Sequence, residues 1–458
     1  MDGMENNLTK GNILKQLFSF SLPFLISNFL QAMYNVTDTL VVSWFAGSHT
    51  VSGVSIGGQI TLICTQLAIG FTVGGTVLIS QYFGAEKKKE LSSTIGTMLT
   101  VLAILTAFIT AVVIIFAKPI LAMVDTPKEA FDEAYKYLVI CMSGTIFTFG
   151  YNAIAAILRG MGDSKNPLYF VLIAGVVNTL LDIPFVALFH WGAAGDAAST
   201  IIAQALALVL AIVYLKRKNF VFDFKLSNFK IVPEKLKQIL KIGLPAAVQS
   251  VSVGFSFLIM IKLVNGFDVD ASAAVGIVGK FNGFAILPAI AMSSAIASMA
   301  AQNIGAEKLD RARETMKKGI ILALPISLVF CLVAVIVPQL IMGAFTNDAN
   351  VISKGVEYIR FFSIDYVIVP FLFCINGLLM GAGMATFTMI NGILSSLIIR
   401  APIAYLLGKV LKMGLPGIAV AAPIASVVGL ILSYCFYKSG AWKRKKLIGA
   451  PIILDDLV

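Results

Sequence analysis

Ser80 to Glu90 reads SQYFGAEKKKE, and Ala301 to Arg311 reads AQNIGAEKLDR. Gln81, Gly84, Ala85, Glu86 and Lys87 match Gln302, Gly305, Ala306, Glu307 and Lys308, a shift of 221 residues (302 − 81). Other features recur near that shift. SLPF at Ser21 answers GLPA at Gly243, LRGMG at Leu158 answers LMGAG at Leu379, and WGAAGDA at Trp191 answers MGLPGIA at Met413. The chain is one unit written twice. The apolar stretches between these landmarks read as twelve spans, roughly 14–44, 54–82, 92–117, 133–158, 167–190, 194–215, 239–264, 272–303, 316–343, 355–379, 386–408 and 416–437, each long enough to cross a bilayer. Each copy therefore has an even number of spans and enters from the same face. That predicts a parallel repeat whose two lobes rock to give alternating access.

The fold class expected is thus all-α integral membrane, with twelve transmembrane helices as two six-helix lobes related by an internal parallel repeat. The divisions are 1–215 for the first lobe, 216–238 for a cytoplasmic linker, 239–437 for the second lobe and 438–458 for a cytoplasmic tail. Composition agrees. The 458 residues are 58% hydrophobic and only 13% charged, far from the near-quarter charged of soluble domains, and mean hydropathy is +0.90. The start, MDGMENNLTKGN, lacks the pattern of a removable signal peptide. The net charge of +11 maps to loops on one side: Lys87 to Lys89, Arg159 and Lys165, the run from Lys216 to Lys241, the group from Lys308 to Lys318, and the tail from Lys438. This positive-inside pattern predicts a multi-pass plasma-membrane protein with both termini cytoplasmic, in contact with anionic lipid and not with nucleic acid. The linker, alternating aromatic and basic residues, reads as an interfacial connector with snorkelling lysines. The five cysteines lie in apolar stretches without metal-ligand spacing and read as buried thiols.

Ionisable groups deep in spans are rare and usually functional. Asp38, Asp182, Lys280, Asp365 and Arg400 lie well inside, and Asp196 lies near a boundary. Lys15 to Asp38 is 23 residues, roughly 35 Å of helix at 1.5 Å each, so Asp38 belongs in the outer half. Asp182 lies 15 residues past Pro167 on an outward span, roughly 22 Å on. Asn178 precedes it by four and shares its face. Thr200, on the returning sixth span, reaches similar depth. Asp38, Asn178, Asp182 and Thr200 can converge, a set of hard oxygen ligands suited to Na⁺ or to two acids that share a proton. In the second lobe the alignment of DIP at Asp182 with RAP at Arg400 puts an arginine where the first lobe has its acid. Lys280, Asp365 and Arg400 read there as a structural ion pair or triad.

These residues carry a resemblance to the multidrug and toxic compound extrusion (MATE) family, and to its DinF-like branch more than its NorM-like branch. The start SLPFLISNFLQAMYNVTDTLVVSWFAG, the QYFGAEK and QNIGAEK pair, LRGMGDSKNP and NTLLDIP carry it, across all twelve spans. The resemblance implies export of organic cations and related drugs in exchange for Na⁺ or H⁺. It implies an acid in the first span central to coupling, here Asp38. In the DinF-like branch it implies a cation site completed by Asn178, Asp182 and Thr200, and a first-lobe cavity lined by Gln31, Tyr34, Asn152 and Asn178. The seventh span lacks the acid of the NorM-like branch.

Other classes fit less well. His49 and His190 have no ligand spacing, so no nucleophile–base pair or metal cluster suggests an enzyme. No GxxxxGK[ST] loop is present, so ATP drive is not expected. A lipid-linked oligosaccharide flippase of the same superfamily would need a cationic cavity, for which Arg400 and Lys280 are the intramembrane candidates. The expected protein is a monomeric secondary antiporter for small, mainly cationic organic substrates. It would use no cofactor beyond its coupling ion, H⁺ or Na⁺.

Overall fold

The computed structural model describes residues 7–218, 220–444 and 447–448. Among the described residues there is helix and turn and no strand. Ten helices are long and apolar enough to cross a membrane: α1 Ile13–Phe45, α2 Gly47–Gly84, α3 Lys88–Ile115, α5 Lys165–Leu188, α6 Ala193–Arg217, α7 Pro233–Asn265, α8 Val269–Gly305, α9 Leu309–Ile336, α11 Ala385–Val410 and α12 Gly414–Lys438. Two bent pairs complete twelve. α4 is Lys128–Ser143 with Thr145–Gly160, bent by 48°, and α10 is Ala349–Phe362 with Asp365–Gly381, bent by 43°. The seventh helix starts at Pro233, ahead of the expected 239 and inside the stretch read as linker. Residues 1–6 of the start read as lacking a signal peptide, and most of the tail, lie outside the described residues.

The repeat extends to individual backbone torsions. Glu86 and Glu307 both have positive φ, 57° and 62°, a conformation that costs a non-glycine residue energy. In each copy this residue ends a helix by the same pair of bonds. Lys87 N–H donates to Tyr82 O at 3.0 Å and Glu86 N–H to Phe83 O at 3.1 Å; Lys308 N–H donates to Asn303 O at 2.8 Å and Glu307 N–H to Ile304 O at 3.0 Å. These reach-back bonds satisfy carbonyls that the last helical turn leaves unpaired. LRGMG and LMGAG do the same with glycine at the turn, Gly162 at φ 86° and Gly383 at φ 79°. The helices Ala117–Met123 and Pro338–Gly343 are a further matched pair, following α3 and α9.

Contacts divide the chain into two compact units. The first takes in Ile26–Gly243, and the second takes in Leu8–Leu25 with the described residues from Leu244 onward. The division falls near Pro23 within α1 and near Pro245 within α7. In the first unit a Cβ on Gly74 would strike the Ile239 carbonyl, and one on Gly75 would strike Met98. Glycine here is the condition for close helix contact. In the second unit Leu8, Leu17 and Phe20 pack with Met299, Leu378 and Trp442. Arg311 fastens the same stretch, donating to the carbonyls of Leu8, Lys10 and Gly11 and to Gln16.

The structure changes two sequence readings here. The linker, read as an interfacial connector with snorkelling lysines, is in addition a packed element. Phe222 is fully buried and stands edge-on to Phe224 and Phe229, and Thr97 of α3 donates to Lys230 O and accepts from Val232 N–H. Lys235, expected to snorkel, is 3% exposed. Its ammonium lies 2.5 Å from Glu90 and 2.6 Å from the Tyr82 hydroxyl. Burial of a lysine is tolerable when its charge is paired and hydrogen-bonded in this way. Among the cysteines, Cys64, Cys141 and Cys374 are buried thiols, but Cys435 is exposed on α12.

Candidate functional site

In the first unit, α1, α5 and α6 each contribute an acid to one cluster. Carboxylate oxygens of Asp38, Asp182 and Asp196 all lie within 4.8 Å of one another. Asp182 and Asp196 are buried and Asp38 is half-buried. Asp182 is the last residue before α5 turns π-helical over Ile183–Leu188, a local widening often found at functional sites. Asp196 stands in the first turn of α6. Asn178, fully buried one turn before Asp182, points its amide at Thr200 Oγ1 (3.3 Å) and Ser199 Oγ (3.4 Å). The Ser199 hydroxyl is within hydrogen-bond reach of both the Asp182 carboxylate and the Asp196 backbone carbonyl. Tyr34 of α1 shares a hydrogen bond with Thr200 at 3.1 Å.

The structure therefore brings Asp38, Asn178, Asp182 and Thr200 together as the sequence reading expects, with Tyr34 beside them. It adds two residues that reading missed, Asp196 and Ser199. Gln31 is exposed on α1, and Asn152 is half-buried with its amide donating to Thr148 O of its own helix at 2.8 Å. Neither is hydrogen-bonded to the cluster among the described residues.

The chemistry of the cluster is one-sided. Asp38 Oδ1, Asn178 Oδ1, Asp182 Oδ2 and Asp196 Oδ1 are buried oxygens with no hydrogen-bond partner. Among the described residues no Lys, Arg or His forms an ion pair with any of the three acids. Buried oxygens of like charge that lack donors are costly unless cations or protons join them. Three carboxylates, an amide oxygen and hydroxyls fit a hard monovalent cation or shared protons.

The second unit is different: the expected ion pair or triad makes no direct ion pair, although Arg400 acts electrostatically on Asp365. No ion pair joins Lys280, Asp365 and Arg400. Lys280 is exposed on α8, with its ammonium 5.8 Å from the Phe345 ring. Asp365 begins the second half of bent α10, where the helix N-terminus itself favours a negative charge. Arg400 lies against the rings of Phe257 (5.3 Å) and Phe362 (5.9 Å), and its Nε has no hydrogen-bond partner. Aromatic faces can hold a guanidinium without a carboxylate. Direct ion pairing is absent because residue type and depth do not fix side-chain direction.

A family model described as MatE matches residues 23–183 and again 245–406. The chain belongs to the MatE family. The double match falls on the two copies, and family members are multi-pass membrane transporters, not enzymes. The matched residues include Asp38, Asn178 and Asp182 and end before Asp196 and Thr200. The probable multidrug resistance protein YpnP of Bacillus subtilis (strain 168) is 28% identical over 445 residues, 96% of this chain and 98% of that protein. The probable multidrug resistance protein NorM of Thermotoga maritima is 23% identical over 450 residues, 95% of this chain and 94% of that one. A solved structure described as the outward-facing conformation of a multidrug resistance MATE family transporter of the MOP superfamily superposes with a TM-score of 0.90 at 21% identity. It covers 97% of this MatE chain and 99% of that chain. This likeness establishes the twelve-helix, two-lobe MATE fold.

Proposed function

We propose that this protein is a secondary antiporter that exports organic cations and related drugs in exchange for H⁺ or Na⁺, and that it couples in its first unit, in the DinF-like manner. The observation that carries the reading is the group of buried, unpartnered oxygens on Asp38, Asp182, Asp196 and Asn178, with no base among them. Asp38 and Asp182 hold the coupling ion, Asn178 and Thr200 orient it, and Asp196 is a third carboxylate that raises the site's capacity for positive charge. Ion and cationic drug compete for one negative site, and that exclusion is what exchange requires. Gln31, Tyr34, Asn152 and Asn178 are the substrate-facing group in this reading. The plasma membrane is the setting, with the basic loops and both termini cytoplasmic, the monomer is the working form, and ATP takes no part. The flippase reading needs a cationic cavity; Lys280 is exposed and Arg400 lies between aromatic rings, which supplies little for a pyrophosphate.

The test is ethidium efflux from proteoliposomes with Na⁺ and H⁺ gradients imposed separately. One gradient alone should drive efflux. Equal efflux without any gradient, or transport of a lipid-linked sugar in its place, overturns the reading.

A further inference from the structure

A groove of about 550 Å³ lies where the linker closes on the first turns of α3. Lys88, Lys89, Ser92 and Ser93 form one wall, and Ser227 and Lys230 stand on the other. No carboxylate lines it among the described residues. Of the acids nearest in sequence, Glu90 is engaged with Lys235 at 2.5 Å and Asp223 with Lys225 at 2.7 Å, and Glu86 and Glu234 are not among the described lining residues. The walls are also fixed in place. Thr97 bonds the backbone on both sides of Ile231, Gly96 admits the Asn228 carbonyl where a Cβ would collide, and Phe222 is buried beneath. Neither snorkelling nor loop connection requires a concave, rigid site with ammonium groups and hydroxyls on both walls.

We infer that this groove binds a phosphate group, from either a phospholipid headgroup or a soluble phosphate compound. Lysines act as point charges toward phosphate oxygens, and serine hydroxyls supply the remaining donors. The volume is in the range of a small-ligand site. The groove sits at a helix end, among the basic loops, where headgroups are within reach. The bound phosphate clamps the linker to α3 and stabilises the first unit.

The experiment uses the purified full-length protein. Inorganic phosphate and pyrophosphate are titrated against KCl of matched ionic strength while the unfolding temperature is followed. In a second arm, protein in phosphatidylcholine vesicles is compared with and without phosphatidylglycerol. A rise in unfolding temperature with soluble phosphate identifies a free ligand, and a rise confined to phosphatidylglycerol vesicles identifies a headgroup. In whichever arm responds, Lys89→Gln with Lys230→Gln should weaken the apparent affinity about twenty-five-fold, from about fivefold per lysine. Ser227→Asp, which adds a repelling charge, should weaken it independently. Lys317→Gln with Lys318→Gln, removing equal charge from the second unit, should leave the response unchanged. The inference fails if neither arm responds beyond KCl, or if the distant pair weakens the response as much as the groove pair.

Discussion

The two units share helices, turns and even the torsion of one glutamate, yet they treat buried charge in opposite ways. The first unit gathers Asp38, Asp182 and Asp196 with no base. The second holds Arg400 against two aromatic rings, with the Asp365 carboxylate within electrostatic reach but in no ion pair. Asp182 stands just before one π-helical stretch, Ile183–Leu188 in α5, and Arg400 ends another, Leu394–Arg400 in α11. With Asp182 aligned to Arg400, one stretch follows the matched charge and the other precedes it, so local helix geometry and side chains have both diverged between the copies. An acid cluster can change its net charge by taking up ions, whereas a guanidinium keeps its charge at any physiological pH. The contrast predicts a transporting unit and a supporting unit.

The largest test of that division lies in the acids. Asp38→Asn and Asp182→Asn should each insert normally and cut gradient-driven efflux by at least about tenfold, the lower end of the loss seen when even an outer partner of a bound cation is removed. Residues that act as a unit lose function non-additively. The double variant should therefore be little worse than either single one, and multiplicative losses would divide the cluster into separate sites.

Next comes Asp196→Asn. Here the expected change is a shift of about one decade in the ion concentration at half-maximal efflux, with drug binding in the absence of ion less affected. An unchanged ion dependence would reduce the site to two carboxylates. Arg400→Ala is the mirror experiment. It should leave efflux substantially intact and lower stability by about 1–3 kcal/mol, the worth of two cation–π contacts. A stable but transport-dead Arg400→Ala would erase the contrast between the units.

The smallest effect belongs to Asp268, an exposed cap whose carboxylate accepts from Ala271 N–H at 2.8 Å and pairs with Lys354 at 2.6 Å. The Lys354 ammonium, with the cap hydrogen bond behind it, holds this carboxyl below its usual value. A depressed value means the stabilisation is fully present above the ordinary aspartate range, about pH 4, and fades as pH falls through the lowered one. Asp268→Asn keeps a capable cap, so its small loss of melting temperature should appear near neutrality and vanish in strong acid. A loss that persisted in acid would assign the effect to packing.

Much of this was legible in the sequence. Apolar length gives the spans, and the two GAEK turns give the repeat, because a helix stop that needs a strained residue leaves a recognisable string. Depth counting brought Asp38, Asn178, Asp182 and Thr200 to one level because helix rise is constant. Asp196 escaped because its place near a span end made it look interfacial, whereas α6 starts at Ala193 and carries it inward beside Ser199. The signal was present in GAAGDAAST, an acid followed three residues later by a hydroxyl. The direct ion pairing of the second unit and the snorkelling of Lys235 were misread for a shared reason. Direction and long-range packing decide both, and neither has a period to read.

A π turn also carries one residue more than the α-helix that it interrupts. The six residues after Asp182 therefore hold a spare position in the thread of a screw. Were that turn to tighten into α-helix, every residue beyond it would rotate by about 100° and advance by about 1.5 Å. The slip costs no rigid-body movement of the rest of α5 and begins at the acid itself. Loading a charge on Asp182 would then be felt as torque along the outer end of its own helix, with the clustered rings of Phe185, Phe189 and Trp191 as the part that turns.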